Sequence, residues 1–177
     1  MKRALAILMV CGLFGFAGMA QFSGEWSTTL NVLPSLGLEE STLTLKYTFN
    51  GWTLTSISTF DPTFSKQHFK LDGTIGPSTV KGEMVFDPAE TDEMYDASFL
   101  GAKVDFAGVS FTMGTVHLMP GESYSVAKGW LRPQKTTITN ALDVSIFRYG
   151  LIAELAPVTI NVQLVDECTG AEFLDAT

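Results

Sequence analysis

An all-β antiparallel up-and-down meander of about eight to ten strands, a barrel or partly open barrel-like sheet, is the fold class this sequence predicts. Three observations carry that expectation. From Ser41 to Phe49, Leu43, Leu45, Tyr47 and Phe49 alternate with Thr42, Thr44, Lys46 and Thr48, and a period of two separates the faces of a strand. Alternating runs of this kind are punctuated by turn signals such as Asn50-Gly51, Gly76-Pro77 and Ala107-Gly108. Thirteen Phe and sixteen Gly beside only 17% charged residues suit a β-rich chain better than a helical one.

The strands follow one another along the chain. Phe22 to Val32 alternates Phe22, Gly24, Trp26, Thr28 and Leu30 against Ser23, Glu25, Ser27, Thr29 and Asn31. The strand at Ser41–Phe49 pairs with Trp52–Phe60, which Asp61-Pro62 ends because proline cannot donate to a ladder. Gln67–Ile75 and Thr79–Phe86 form the next hairpin, and Tyr95–Phe106 with Val109–Leu118 the one after. Met119 to Gln134 holds two prolines and two glycines and reads as a long loop, with a short strand near Tyr124–Val126. Thr137–Phe147 and Val158–Val165 read as strands, Leu151–Leu155 as a short strand or bend, and Asp166 to Thr177 as a turn around Thr169-Gly170 with a strand fragment. Phe60-Asp61-Pro62-Thr63 returns as Phe86-Asp87-Pro88-Ala89, which fits a meander grown from a repeated hairpin and fits convergence on a strand-end signal nearly as well.

Ahead of the sheet lies a leader. Lys2 and Arg3 precede an apolar run from Ala4 to Ala17, and Gly18-Met19-Ala20 offers the small residues of a signal-peptidase site. Residues 1–20 are therefore expected to be a helical signal peptide, cleaved near Ala20–Gln21, and residues 21–177 one β-meander domain. The run is shorter than the roughly 20 residues a spanning helix needs. The net charge of −8 becomes two units more negative once Lys2 and Arg3 leave, which argues against nucleic acid as a partner. Cys168 is then the one cysteine, so no internal disulfide is expected.

Alternation fits two architectures: a soluble sandwich with the apolar face inside, or a membrane barrel with that face toward lipid. Strand length discriminates better. Runs of roughly nine to twelve residues match the 9–11 that cross hydrocarbon at a tilt, against about 5–6 in soluble domains. Trp26, Phe49, Trp52, Phe60, Phe86, Phe106, Phe147 and Tyr149 lie near strand ends, as interfacial girdles or as ordinary packing at sheet corners.

In its export signal, its long strands such as Leu43-Thr44-Leu45-Lys46-Tyr47-Thr48-Phe49, and its tight Asn50-Gly51 turn, the chain resembles bacterial outer-membrane β-barrel proteins over most of Gln21–Val165. The resemblance implies a cell-envelope, outer-membrane location, contact with outer-membrane lipid, passage through the export machinery, and a porin-like or structural role. Such barrels usually finish on a strand with a terminal aromatic, whereas this chain reads Glu172-Phe173-Leu174-Asp175-Ala176-Thr177, so the expectation is either a fragment of a longer barrel or a chain not assembled in that way.

Chemistry-bearing residues are sparse, and no enzyme is expected. Gly121-Glu122-Ser123-Tyr124-Ser125 lacks the final glycine of a nucleophile elbow, and His68 and His117 sit on separate strands without ligand-spaced partners. Asp87, Glu90, Asp92, Glu93 and Asp96 form the densest polar cluster. Calcium takes six to eight oxygens, so a calcium site is one reading; but the ligand order and glycine of a dedicated loop are missing, and a solvated hairpin tip is the other. No other cofactor is expected. In a barrel, Thr42, Thr44, Lys46, Thr48, Lys70, Asp72, Lys81 and Glu83 would line the interior with mixed charges and little ion selectivity. The alternative is a secreted or surface-attached soluble β-sandwich, extracellular or periplasmic, with a structural or ligand-binding role.

Overall fold

Asn50 and Gly51 both adopt left-handed φ angles, 48° and 78°, and Ala107 and Gly108 repeat the geometry at 52° and 81°. Two consecutive left-handed residues twist a two-residue turn to match its flanking strands. In the computed structural model, which describes residues 20–31, 37–61, 63–90, 94–131 and 136–168, these turns join a long antiparallel meander.

Its strands are β1 (Gln21–Asn31), β2 (Gly37–Phe49), β3 (Trp52–Asp61), β4 (Thr63–Ile75), β5 (Ser78–Phe86), β6 (Tyr95–Phe106), β7 (Val109–Leu118), β8 (Ser123–Val126), β9 (Thr136–Thr139), β10 (Ser145–Leu155) and β11 (Val158–Cys168). Nine of them form one sheet in the order β1-β2-β3-β4-β5-β6-β7-β10-β11, while β8 and β9 pair separately. The fold class is as expected, all-β and antiparallel, and the sheet is open: β1 and β11 are its edges. No helix occurs among the described residues. The leader helix at Arg3–Gly18 and the turn at Thr169-Gly170 lie outside them.

Four connections at one end of the sheet are two residues long: 50–51, 76–77, 107–108 and 156–157. The connections at the other end include residues 32–36, 87–94 and the insertion that carries β8 and β9. Main-sheet strands run 9 to 13 residues. At about 3.4 Å per residue and a tilt near 40°, such strands rise roughly 25–35 Å.

Register sorts the side chains into two faces. One complete row reads Ser23, Lys46, Thr55, Lys70, Glu83, Phe99, Val116, Arg148, Val165. The neighbouring row, on the opposite face, reads Phe22, Tyr47, Leu54, Leu71, Gly82, Leu100, Thr115, Tyr149, Leu164.

Three expectations about elements need correction. Thr137–Phe147 is not one strand. The chain breaks at Asn140, whose Nδ2 donates to the carbonyls of Leu118, Met119 and Val144 and whose Oδ1 accepts from the Leu142 amide. An asparagine saturated by backbone groups holds a corner that alternation alone does not signal. Leu151–Leu155 is neither a bend nor separate; it continues β10 through Gly150. And β11 runs on to Cys168, because Ser145 to Arg148 extend the ladder opposite Val165 to Cys168.

Candidate functional site

The buried core lies on the polar face, at the end with the long connections. Val116, Leu118, Ala97, Phe99 and Ile146 line the sheet there, and the β8–β9 insertion covers them with Tyr124, Val126 and Ile138 and with Leu131 from the segment between its two strands. The hairpin alternates: Tyr124, Val126 and Ile138 face the sheet, while Ser123, Ser125, Thr137 and Thr139 stay exposed, with Ser125 and Thr137 hydroxyls 2.9 Å apart. Apolar side chains thus occur on the polar face where this insertion covers them.

The sheet makes room for the insertion with a row of glycines. Gly101, Gly114 and Gly150 sit side by side on β6, β7 and β10. A β-carbon on Gly101 would meet the Phe99 and Trp130 rings at 2.6 Å, and one on Gly150 would collide with the carbonyl and side chain of Leu131. Only bare backbone lets Trp130 and Leu131 lie this close.

Beside the insertion runs a charged strip. His68 Nε2 is 2.8 Å from Glu83 Oε2, Lys70 Nζ is 3.8 Å from the same oxygen, and Lys81 Nζ is 2.9 Å from Asp72 Oδ1. Lys81 also stands 5.6 Å over the Trp130 ring, within cation–π range. Burial, and then the nearby Glu83 carboxylate, push the Tyr124 phenol's pKa well above its ordinary value, so the phenol keeps its proton. Thr42, Thr44, Lys46 and Thr48 on β2, Lys70 and Asp72 on β4, and Lys81 and Glu83 on β5 share this face by register. Their charges are mutually compensated wherever ion pairs form.

The opposite face is apolar and open. Among the described residues, some twenty large apolar side chains on it are exposed, from Trp26 at 74% and Leu100 at 57% to Val158, Ile160, Val162 and Leu164 on the β11 edge. Polar groups on this face close on one another. Gln67 joins Ser58 and Ser56 at 2.6 and 2.9 Å, and Tyr95 joins Ser98 and His117 at 2.7 and 3.0 Å. Near the long-connection end an aromatic row crosses five adjacent strands: Phe69, Phe86, Tyr95, His117 and Phe147, with successive centroids 4.3–6.1 Å apart. Phe49, Trp52 and Phe106 flank the two-residue turns at the other end.

Of the acidic cluster, Asp87 accepts from the Ala89 amide at 2.8 Å, Glu90 is exposed, and Asp96 is buried at the start of β6. Asp92 and Glu93 lie outside the described residues. Among the described residues no three carboxylate, His or Cys groups are placed to hold a metal ion. His68 and His117 stand on opposite faces, which disposes of a metal pair between them.

Sequence reasoning missed the insertion and its glycine row. A partial signal was present: Phe99 and Leu100 are adjacent apolar residues, so β6 is apolar on both faces there, and a doubly apolar strand segment has something covering its second face.

Compared with known protein families, characterised proteins and solved structures, the chain matches none.

Proposed function

We propose that this chain forms the wall of an exported, cell-envelope β-barrel of the outer membrane, porin-like or structural, with no catalysis of its own. The apolar face meets lipid, and the polar face, with its folded-in hairpin, faces the interior.

The observation that carries this reading is the inversion of the two faces. A soluble sandwich buries its oily face and wets the other. Here the buried core sits on the polar face, and the oily face is bare across all nine strands. At about 1 kcal/mol for each half-exposed large side chain, water would forgo on the order of 20 kcal/mol that hydrocarbon supplies. The aromatic row, the mutually bonded polar groups on the oily face, and the contrast between short turns and longer connections support the same reading.

Solubilisation tests it. The mature chain is expected to need detergent, and its folded form to resist SDS until boiled. A monodisperse chain in plain buffer overturns the proposal.

A further inference from the structure

On the oily face, the hydrogen bonds that join Tyr95, Ser98 and His117 leave one donor and one acceptor over. The Tyr95 hydroxyl donates to Ser98 Oγ at 2.7 Å, so in its 3.0 Å contact with His117 Nδ1 the ring nitrogen donates. A neutral imidazole then keeps a bare acceptor at Nε2, and the Ser98 proton has no acceptor among the described residues. Ser98 and His117 face each other across β6 and β7. Both line a hollow of about 420 Å³ on the oily face. A second hollow of about 380 Å³ adjoins it and shares Leu100 and Thr115. Together they follow the strands from Ser98 and His117 past Leu100 to Ala102 and Met113, about 13 Å at roughly 3.3 Å per residue. Gly82, beside Leu100, deepens this groove: a β-carbon built there meets nothing closer than 3.7 Å.

The polar pair and the groove are arranged as a lipid is. His117 belongs to the aromatic row, the level of a membrane interface, while Leu100 lies midway along β6. A polar head at that interface would leave its hydrocarbon running inward along the groove. The head must accept from a hydroxyl and share a proton with an imidazole at the neighbouring position, and a carboxyl group does both. The ester carbonyl of a phospholipid accepts from Ser98 but offers nothing to Nε2. We propose that this groove holds a fatty acid, its carboxyl group between Ser98 Oγ and His117 Nε2 and its chain running past Gly82 toward Ala102 and Met113. The chain fills the two hollows, and one proton lies between the carboxyl oxygen and Nε2. The proposal rests on the membrane-wall reading, since lipid contact is what brings a fatty acid to this face.

The test places the full chain in phosphatidylcholine vesicles with a trace of lauric acid that carries a diazirine at the far end of its chain. After illumination, cross-links mapped by mass spectrometry are expected to concentrate at Ala102 and Met113 and to stand well above those at Leu164 on the β11 edge. Unlabelled lauric acid is expected to compete, and methyl laurate, which has no proton for Nε2, to compete about fivefold more weakly, the effect of one hydrogen bond. Ser98→Ala is expected to weaken labelling by a similar factor, about fivefold. Gly82→Leu, whose side chain occupies the groove, is expected to lower labelling there to the level at Leu164. If Gly82→Leu does not insert, Ser98→Ala and the competition decide. Labelling spread evenly over the oily face, equal competition by methyl laurate, or undiminished labelling of Ser98→Ala overturns the proposal. Even labelling of a chain that stays in the vesicles refutes the fatty-acid site and leaves the membrane wall standing. A chain recovered unlabelled from the aqueous phase refutes both.

Discussion

The backbone carbonyl of Leu131 occupies the space that a β-carbon on Gly150 would need. This approach holds the inserted segment against the sheet, and it locates β10 as one wall of the groove beneath Trp130 and Leu131. Gly150→Ala is therefore expected to lower unfolding free energy by about 1–3 kcal/mol, the range for overpacking a filled site. Gly82→Ala, on the open face with its nearest neighbour at 3.7 Å, is the control and is expected to change little. Denaturant titration of both variants in detergent checks the difference; equal effects would mean that the glycine row holds nothing.

Ala107 holds a left-handed conformation at φ 52° in the turn between β6 and β7. A β-carbon is disfavoured there, and Asn50-Gly51 shows the preferred chemistry in the equivalent turn. Ala107→Asn is expected to stabilise the protein by roughly 0.5–1 kcal/mol, read as a raised denaturant midpoint.

Tyr124 and Glu83 connect the inserted hairpin to the charged strip on β4 and β5. Glu83 keeps His68 and Lys70 when the phenol is lost, so Tyr124→Phe is expected to cost about 1 kcal/mol. A double-mutant cycle with Glu83→Gln should return a coupling of about 0.5–1 kcal/mol. Additive effects would show that the hydroxyl and the carboxylate do not communicate.

Much of this architecture was legible from alternation, and the exceptions share a cause. Leu43 to Phe49 announced its strand because Leu43, Leu45, Tyr47 and Phe49 alternate with Thr44, Lys46 and Thr48; Leu54 to Phe60 is less regular, with Ser56 and Ser58 on the oily face and Ile57 on the other. Asn50-Gly51 announced its turn through left-handed φ. The break at Asn140 was hidden, because an asparagine that saturates three carbonyls looks like any polar residue between strands. Gly150 hid the continuity of β10, since a glycine in mid-strand reads as a stop unless its partner Leu131 is known. The eight polar-face residues were identified together because register preserves the two-residue period across β2, β4 and β5. The hairpin that covers part of that face is a tertiary feature, and periodicity marks it only where Phe99 beside Leu100 makes both faces of β6 apolar.

For the acidic loop, Asp87 already caps the Ala89 amide and Asp96 is buried in β6. Millimolar calcium is expected to leave the melting temperature unchanged. A bound ion at a hundred times its dissociation constant would add about 2.7 kcal/mol, so a clear upward shift would contradict this expectation.

The central claim is that the face bearing Leu100 meets lipid while the face bearing Thr44 does not. Leu100 lies midway along β6, and Thr44 lies opposite Glu25 on the polar face. Arginine scanning of these two positions, with folding free energy measured in lipid vesicles, tests the claim most directly. Leu100→Arg is expected to cost about 2–4 kcal/mol, as for a cation at the bilayer midplane, and Thr44→Arg close to nothing. A Leu100→Arg variant that folds as well as Thr44→Arg would contradict the account.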